Sequence, residues 1–320
     1  VSLALEFKGV VKCYGRRRAL DHLDLAVPEG AIMGLVGSNG AGKTTAMAVS
    51  TGLLHPSGGE IELLGQGPFR ADLHAGRVAL LPQDSRFPPH ARVIDLLHFY
   101  GRLQGIPPAT LKQSIETLLD WVHLTDRRNA PVRTLSHGMQ RRLSIAQAFL
   151  GSPELILLDE PLNGLDPREA ARIRDLIRSR HGHQTIVISS HILADIEILC
   201  DQVAFIEQGR LVRQDALDSI MCRRHRMTYV LTAPTTALES LRSALPEVAW
   251  EVTPDGLTLT ANFASPQTPE DLNAVALGIL LSCRTGILEI KRGSDLETEY
   301  LKMHPVTGIA VPPPIPAELP

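Results

Sequence analysis

The stretch "GSNGAGKTT", Gly37–Thr45, follows an apolar run and precedes a helical pattern, and its spacing is G-x-x-x-x-G-K-[ST]. Gly37, Gly40 and Gly42, with Ser38, Asn39 and Ala41 between them, let the backbone wrap a phosphate with its N–H groups pointing inward. The start of the next helix, Thr45 included, adds its dipole. Lys43 is placed to reach β- and γ-phosphates, and Thr44 to ligate Mg²⁺. A second stretch, "LILLDEP" (Leu155 to Pro161), is an apolar strand ending in two acids. Unpaired carboxylates at the end of a buried strand are costly, so a role is expected for them. Asp159 is placed to hold Mg²⁺ through water, and Glu160 to polarise an attacking water. In "LSHGMQ", Leu135 to Gln140, Ser136 and Gly138 open a helix whose first backbone N–H groups are bare, which is where an anion settles.

These groups need elements to position them. Residues 3–35 read as three β segments, with a Pro28-Glu29-Gly30 turn before the last. A helix is expected from Gly42 to about Leu54, then strands at "GEIELLG" and "RVALLPQ". From Val93 to Leu150 the pattern turns helical, with 3.6-residue spacing in "VIDLLHFYGRLQG", "ATLKQSIETLLDWVHL" and the stretch from Thr134 to Leu150. Strand and helix alternate again afterwards: "LILLDE", a helix from Pro167 to Ser179, "TIVISS", a helix from His191 to Cys200, "QVAFIEQG" and "RLV". Such alternation implies an α/β fold on a buried, mainly parallel sheet, with the helical block inserted into it.

Near Arg213 the character changes. The order β, α, β-hairpin, α, β from "RMTYVLTA" to "GILEIKRG" matches the ferredoxin-like split βαβ pattern, a small α+β domain. The helix "SDLETEYLKMH" and a Pro-rich tail from Val311 follow, the tail having too little apolar content to bury. The basic run "RRHR" (Arg223 to Arg226) reads as a solvated linker, or as a contact for anionic lipid head groups.

Composition restricts the function classes. The 320 residues are 44% hydrophobic and 21% charged, ordinary globular values with room for two domains. The net charge of −3 argues against a protein whose main partner is nucleic-acid phosphate. Four scattered cysteines, Cys13, Cys200, Cys222 and Cys283, fit a reduced cytoplasmic chain without disulfides. No apolar run reaches the ~20 residues of a spanning helix, and no signal-peptide layout is expected at the start.

The phosphate loop and the acid pair identify a P-loop NTPase and no more. "LSHGMQ", upstream of "LLDEP", resembles the L-S-G-G-Q signature of ATP-binding-cassette (ABC) ATPases. Other motifs of that family occur in order. Tyr14 in "CYGRRRAL" stands where an aromatic stacks on adenine, and Gln83 in "LLPQD" at the Q-loop, where the helical subdomain begins. "NGLDP" (Asn163 to Pro167) matches the D-loop, and His191 follows "TIVISS" at the switch-histidine position. Each alone is weak: Tyr14 could be a plain strand aromatic, Gln83 a loop residue, His191 a helix cap. Their collinearity decides.

The resemblance covers residues 3 to roughly 215 and implies a P-loop NTPase ABC cassette, residues 1–215, with its helical subdomain at about 84–150. An accessory α+β domain at 222–305 and a tail at 306–320 follow. It further implies that Glu160, His191 and Gln83 serve hydrolysis and that Thr44, Asp159 and Gln83 hold Mg²⁺. Ser136 and the Gly138 N–H would bind the γ-phosphate of a second copy's ATP. His137, Met139 and Asn163 depart from the usual signature and D-loop residues, while the serine and second glycine are kept.

The expected protein is the ATPase subunit of an ABC transporter, more in the style of ABC-2-type exporters, acting as a homo- or heterodimer. It would sit in the cytoplasm on the inner face of the membrane, beneath a separately encoded permease, with no nucleic-acid partner. Two alternatives stand beside this. A soluble ABC protein acting on ribosomes or DNA usually carries two cassettes or a long coiled coil. An ATP-binding regulator would not turn ATP over.

Overall fold

The computed structural model describes residues 2–221, 225–264, 267–294 and 296–303. Among them the chain divides into two compact units, the first ending at Leu217 and the second beginning at Asp218.

The first unit opens with two 12-residue strands, β1 (Leu3–Tyr14) and β2 (Arg17–Pro28). The short β3 (Ile32–Val36) leaves them for a different sheet, and β4 (Gly58–Leu63) returns to complete an antiparallel sheet ordered β2-β1-β4. Leu20, Leu23, Leu25 and Val27 line one face of β2 and are buried. The second sheet adds β5 (Val78–Leu81), β6 (Leu155–Asp159), β7 (Thr185–Ser189), β8 (Gln202–Glu207) and β9 (Arg210–Ala216). Its order is β5-β6-β7-β3-β8-β9, parallel except for the last pair. β3, β6 and β7 are buried at every residue, as strands covered on both faces must be.

The helical block contains Val93–Leu103, Pro108–Trp121 and His137–Ala148. Val93, Leu96 and Leu97 on the first helix, and Leu111, Ile115 and Leu118 on the second, are buried at 3–4-residue spacing. Gly101 permits their close approach, because a Cβ there would collide with the Leu111 side chain. Arg142, buried on the third helix, donates to the Val122 carbonyl at 2.6 Å and pairs with Glu169 at 3.3 Å, tying the block to the helix Pro167–Arg178.

Two helices are shorter than expected. The helix after the phosphate loop spans Lys43–Ser50, because Gly52 at φ 70° turns the chain. The helix expected from His191 is Leu193–Leu199. The Ser190 hydroxyl accepts from the Ile192 N–H at 2.9 Å, a local turn that holds His191 outside the helix.

In the second unit, β10 (Arg226–Leu231), β11 (Ala249–Val252), β12 (Thr258–Asn262) and β13 (Ile287–Arg292) form an antiparallel sheet ordered β11-β12-β10-β13. Its helices Leu238–Ala244 and Pro269–Ser282 bury Leu241, Leu272, Ala276 and Leu280 against Met227, Tyr229, Leu231 and Leu259. This is the split βαβ order. The helix Leu296–Met303 closes the described part. Arg223 and the Pro-rich tail lie outside the described residues, while Arg226 opens β10. Among the described residues no helix is long and apolar enough to cross a membrane.

Candidate active site

The phosphate loop leaves the buried end of β3. Gly37 is needed because a Cβ there would collide with the Ile206 carbonyl of β8. Gly42 is needed twice over: its φ is 114°, and a Cβ would meet the Ala19 carbonyl at 2.7 Å. The loop carries Lys43 into the interior, where its ammonium donates to the carbonyls of Gly37 at 2.6 Å and Ser38 at 3.2 Å. Burial pulls the Lys43 pKa below the usual lysine range, opposed by the charges of Glu160 and Asp159.

A cavity of about 440 Å³ adjoins the loop at the carboxyl ends of the parallel strands, where α/β sheets place their ligands. Tyr14, Asn39, Gly40, Gly42, Lys43, Thr44, Thr45, Gln83, Asp159 and Glu160 all line it, so four separate motifs meet here. Gly37, Ser38 and Ala41 form the loop behind that surface, with the Ala41 N–H donating to the Ser38 carbonyl at 3.0 Å. Tyr14 is half exposed at the end of β1, with Arg17 beside it on the cavity wall.

Thr44 Oγ1 donates to Asp159 Oδ2 at 2.6 Å. Two hard oxygens meeting at the foot of a phosphate loop, with the Gln83 amide on the same wall, are the donor types that Mg²⁺ takes. The other Asp159 oxygen accepts from the Ser189 hydroxyl. Glu160 sits one residue beyond, at φ 51°, a left-handed conformation that non-glycine residues seldom adopt. It is held there from three sides. Its N–H donates to Ser189 Oγ at 3.0 Å, its carbonyl accepts from Arg141 Nη2 at 2.7 Å, and its Oε2 lies 2.7 Å from His191 Nδ1. A strained residue so heavily constrained marks a position where side-chain direction matters.

Arg141 is the residue whose role sequence reasoning missed. Buried on the helix His137–Ala148, its guanidinium donates to the carbonyls of Asp159 at 2.6 Å, Glu160 at 2.7 Å, Pro82 and Gln83 at 3.0 Å and Pro161 at 3.4 Å. One side chain thus ties the acid pair to the segment that carries Gln83. Burial lowers its pKa, with Asp159 and Glu160 opposing. Ser189 was also missed, although "TIVISS" contains it.

Ser136 caps its own helix by accepting from the Met139 N–H at 3.2 Å. An added Cβ at Gly138 would meet the Gly164 carbonyl at 3.7 Å, an ordinary van der Waals contact. His137, the departure from the signature, faces Gly164, whose added Cβ would stand 3.0 Å from His137 Nε2. Asp166 caps the helix Pro167–Arg178, accepting from the N–H groups of Arg168 and Glu169 at 3.0 Å. Ser136 and Gly138 do not line the cavity that holds Lys43. Within one chain, then, these two groups are not brought to the phosphate loop.

A model of the "ABC transporter" family matches residues 20–163. The chain is 34% identical to "Nod factor export ATP-binding protein I" of Cupriavidus pinatubonensis (strain JMP 134 / LMG 1197), covering 93% of this chain and 90% of that protein. It is 32% identical to the protein of the same name from Sinorhizobium fredii (strain NBRC 101917 / NGR234), with 94% and 86% covered. Among solved structures it is similar to an ATP-binding subunit of an ABC transporter, at TM-score 0.64 and 27% identity, over 69% of this chain and 93% of that one. A dimeric ATP-binding cassette in a post-hydrolysis state with ADP and Pi aligns at TM-score 0.62 and 21% identity, over 67% and 98%, a likeness of fold.

Proposed function

This chain belongs to the ATP-binding subunits of ABC transporters, and from that premise we propose that it hydrolyses ATP at the cavity beside Lys43 to drive export through a separate membrane permease. The observation that carries this reading is the meeting of Lys43, Thr44, Asp159 and Glu160 on one cavity wall, with Glu160 aimed by His191. Lys43 exchanges its loop carbonyls for the β- and γ-phosphates. Thr44 and Gln83, with Asp159 through water, would hold Mg²⁺, which when bound would neutralise charge on the phosphate oxygens. Glu160 takes the proton of a water whose oxygen bonds to the γ-phosphorus. The bond to the bridging oxygen breaks, leaving ADP and phosphate. Tyr14 stacks on the adenine.

The γ-phosphate faces a second chain, whose Ser136 and Gly138 N–H complete the site. The absence of both from the Lys43 cavity of their own chain supports this, since the signature then has no nucleotide to serve at home. Bound ATP joins the two cassettes, and its hydrolysis lets them part.

A groove of about 510 Å³ at the other end of the sheet suits the permease. Arg77, Ser152 and Gln184, just before β5, β6 and β7, lie along it, so a partner there leaves the nucleotide free. Arg180 lies over the Trp121 ring at 4.1 Å, and Gln104 Oε1 and Arg180 Nε are buried without a hydrogen-bond partner among the described residues. An inserted helix end would supply those partners. The chain is thereby peripheral to the membrane it serves. Export is favoured by the names of the relatives, and the cargo belongs to the permease. The test is phosphate release by the purified chain with Mg-ATP, lost in Lys43→Ala. An unaltered rate in that variant, or no turnover by wild type with or without its permease, would refute the reading.

A further inference from the structure

The outer edge of β13 in the second unit carries a pattern that fits a copy of itself. β13 pairs with β10 on one side and, among the described residues, with no strand on the other. The Gly293 N–H donates to the Arg226 carbonyl at 2.8 Å, which sets the phase of that ladder. Antiparallel hydrogen bonding alternates along a strand, so Lys291 and Glu289, opposite Thr228 and Val230, also turn their backbone groups toward β10. Ile290 therefore turns its N–H and C=O outward.

Side chains alternate too. Ile290 is opposite Tyr229 and shares its face with the helices, yet remains 40% exposed. Glu289 and Lys291 stand on the other face, 3.4 Å apart and half exposed.

We propose that β13 pairs antiparallel with β13 of a second copy of this chain about a two-fold axis at Ile290, making one eight-stranded sheet. In that register Ile290 faces its own counterpart and exchanges both backbone hydrogen bonds with it. Glu289 then faces the partner's Lys291, and Lys291 the partner's Glu289. These fall at the non-hydrogen-bonded positions, where facing Cα atoms approach to about 4.5 Å. One register satisfies the outward backbone groups and both charge pairs together, and it is isologous, as a two-fold dimer requires. Edge strands are commonly guarded by charge, but a guard repels its own copy. Here opposite signs meet. An exposed apolar neighbour on the same strand supports the same occupant: Leu288 is 69% exposed. The association is independent of nucleotide and of the cassette reading.

The test uses the full chain without nucleotide, in EDTA and low salt, by sedimentation equilibrium. Wild type should associate with rising concentration. Glu289→Lys and Lys291→Glu should each weaken association by about tenfold or more, because both cross-strand pairs become repulsive. Mixing the two variants should restore it to within about threefold of wild type, since a strand with lysine at both positions then faces one with glutamate at both. An effect arising only within one strand is not restored by mixing. Monomeric wild type at ~100 µM, single reversals without effect, or no recovery in the mixture would each overturn the proposal, with circular dichroism checking that the variants are folded.

Discussion

His191 Nδ1 lies 2.7 Å from Glu160 Oε2, joining the ends of two neighbouring parallel strands, β7 and β6. A carboxylate at φ 51° is thus aimed by a ring from the adjacent strand and by Ser189 beneath it. If Glu160 is the base, Glu160→Gln keeps shape and Mg²⁺ ligation but cannot take a proton. ATP binding should persist, while phosphate release falls by about 10²–10⁴-fold. The variant should accumulate as an ATP-bound dimer on size exclusion. Wild-type turnover would reassign the base.

If His191 acts through Glu160, as their 2.7 Å contact suits, the two losses should not add. His191→Ala alone should slow hydrolysis by about tenfold or more, yet cost little further in the Glu160→Gln background. Additive losses in that double-mutant cycle would mean that His191 has an independent role.

Arg141 is expected to matter for stability as well as turnover. Arg141→Met leaves the carbonyls of Asp159, Glu160, Pro82 and Gln83 without their buried donor. A loss of roughly 3 kcal/mol or more in unfolding free energy should follow, measured by urea titration of the variant. Arg141→Lys should recover only part of it, since an ammonium cannot span the fork. A variant as stable as wild type would show that the network is dispensable.

The described residues that line the Lys43 cavity all belong to the first unit. A chain ending at Met221 should bind ATP with affinity within about threefold of the full chain, read by fluorescent-nucleotide titration. A folded truncation that binds none would mean that the cassette needs the second unit for its own site.

The parts of the site legible in the sequence were those written locally. Gly37 to Thr45 lie within nine consecutive residues, and the steric need for Gly37 and Gly42 leaves its mark as glycine. Asp159 and Glu160 stood out because acids end an otherwise apolar strand. Arg141 did not, because its partners at 82–83 and 159–161 come together only in three dimensions, and on the sequence it is one arginine of a basic helix. Ser189 was hidden for the same reason. Strand alternation indicated a parallel sheet, but the placement of β3 between β7 and β8, away from β1 and β2, depends on long-range pairing. Two helix ends depart from the apolar spacing, because a hydroxyl turn at Ser190 and a left-handed Gly52 outweigh it.

A nucleotide site shared between two chains is tested most directly by the ATPase rate of a mixture of Lys43→Ala and Ser136→Arg proteins. The first cannot hold phosphates. The second keeps its own phosphate loop but places a bulky side chain at the entrance of the helix His137–Ala148. Each should be inactive alone. In a mixed dimer one site joins the intact loop of the Ser136→Arg chain to the intact signature of the Lys43→Ala chain. At equal amounts about half the dimers are mixed, so about a quarter of the wild-type rate should return if one site fires alone. Mixed dimers confirmed by cross-linking that show no recovery at any ratio would contradict the shared site and return Ser136 to its own chain.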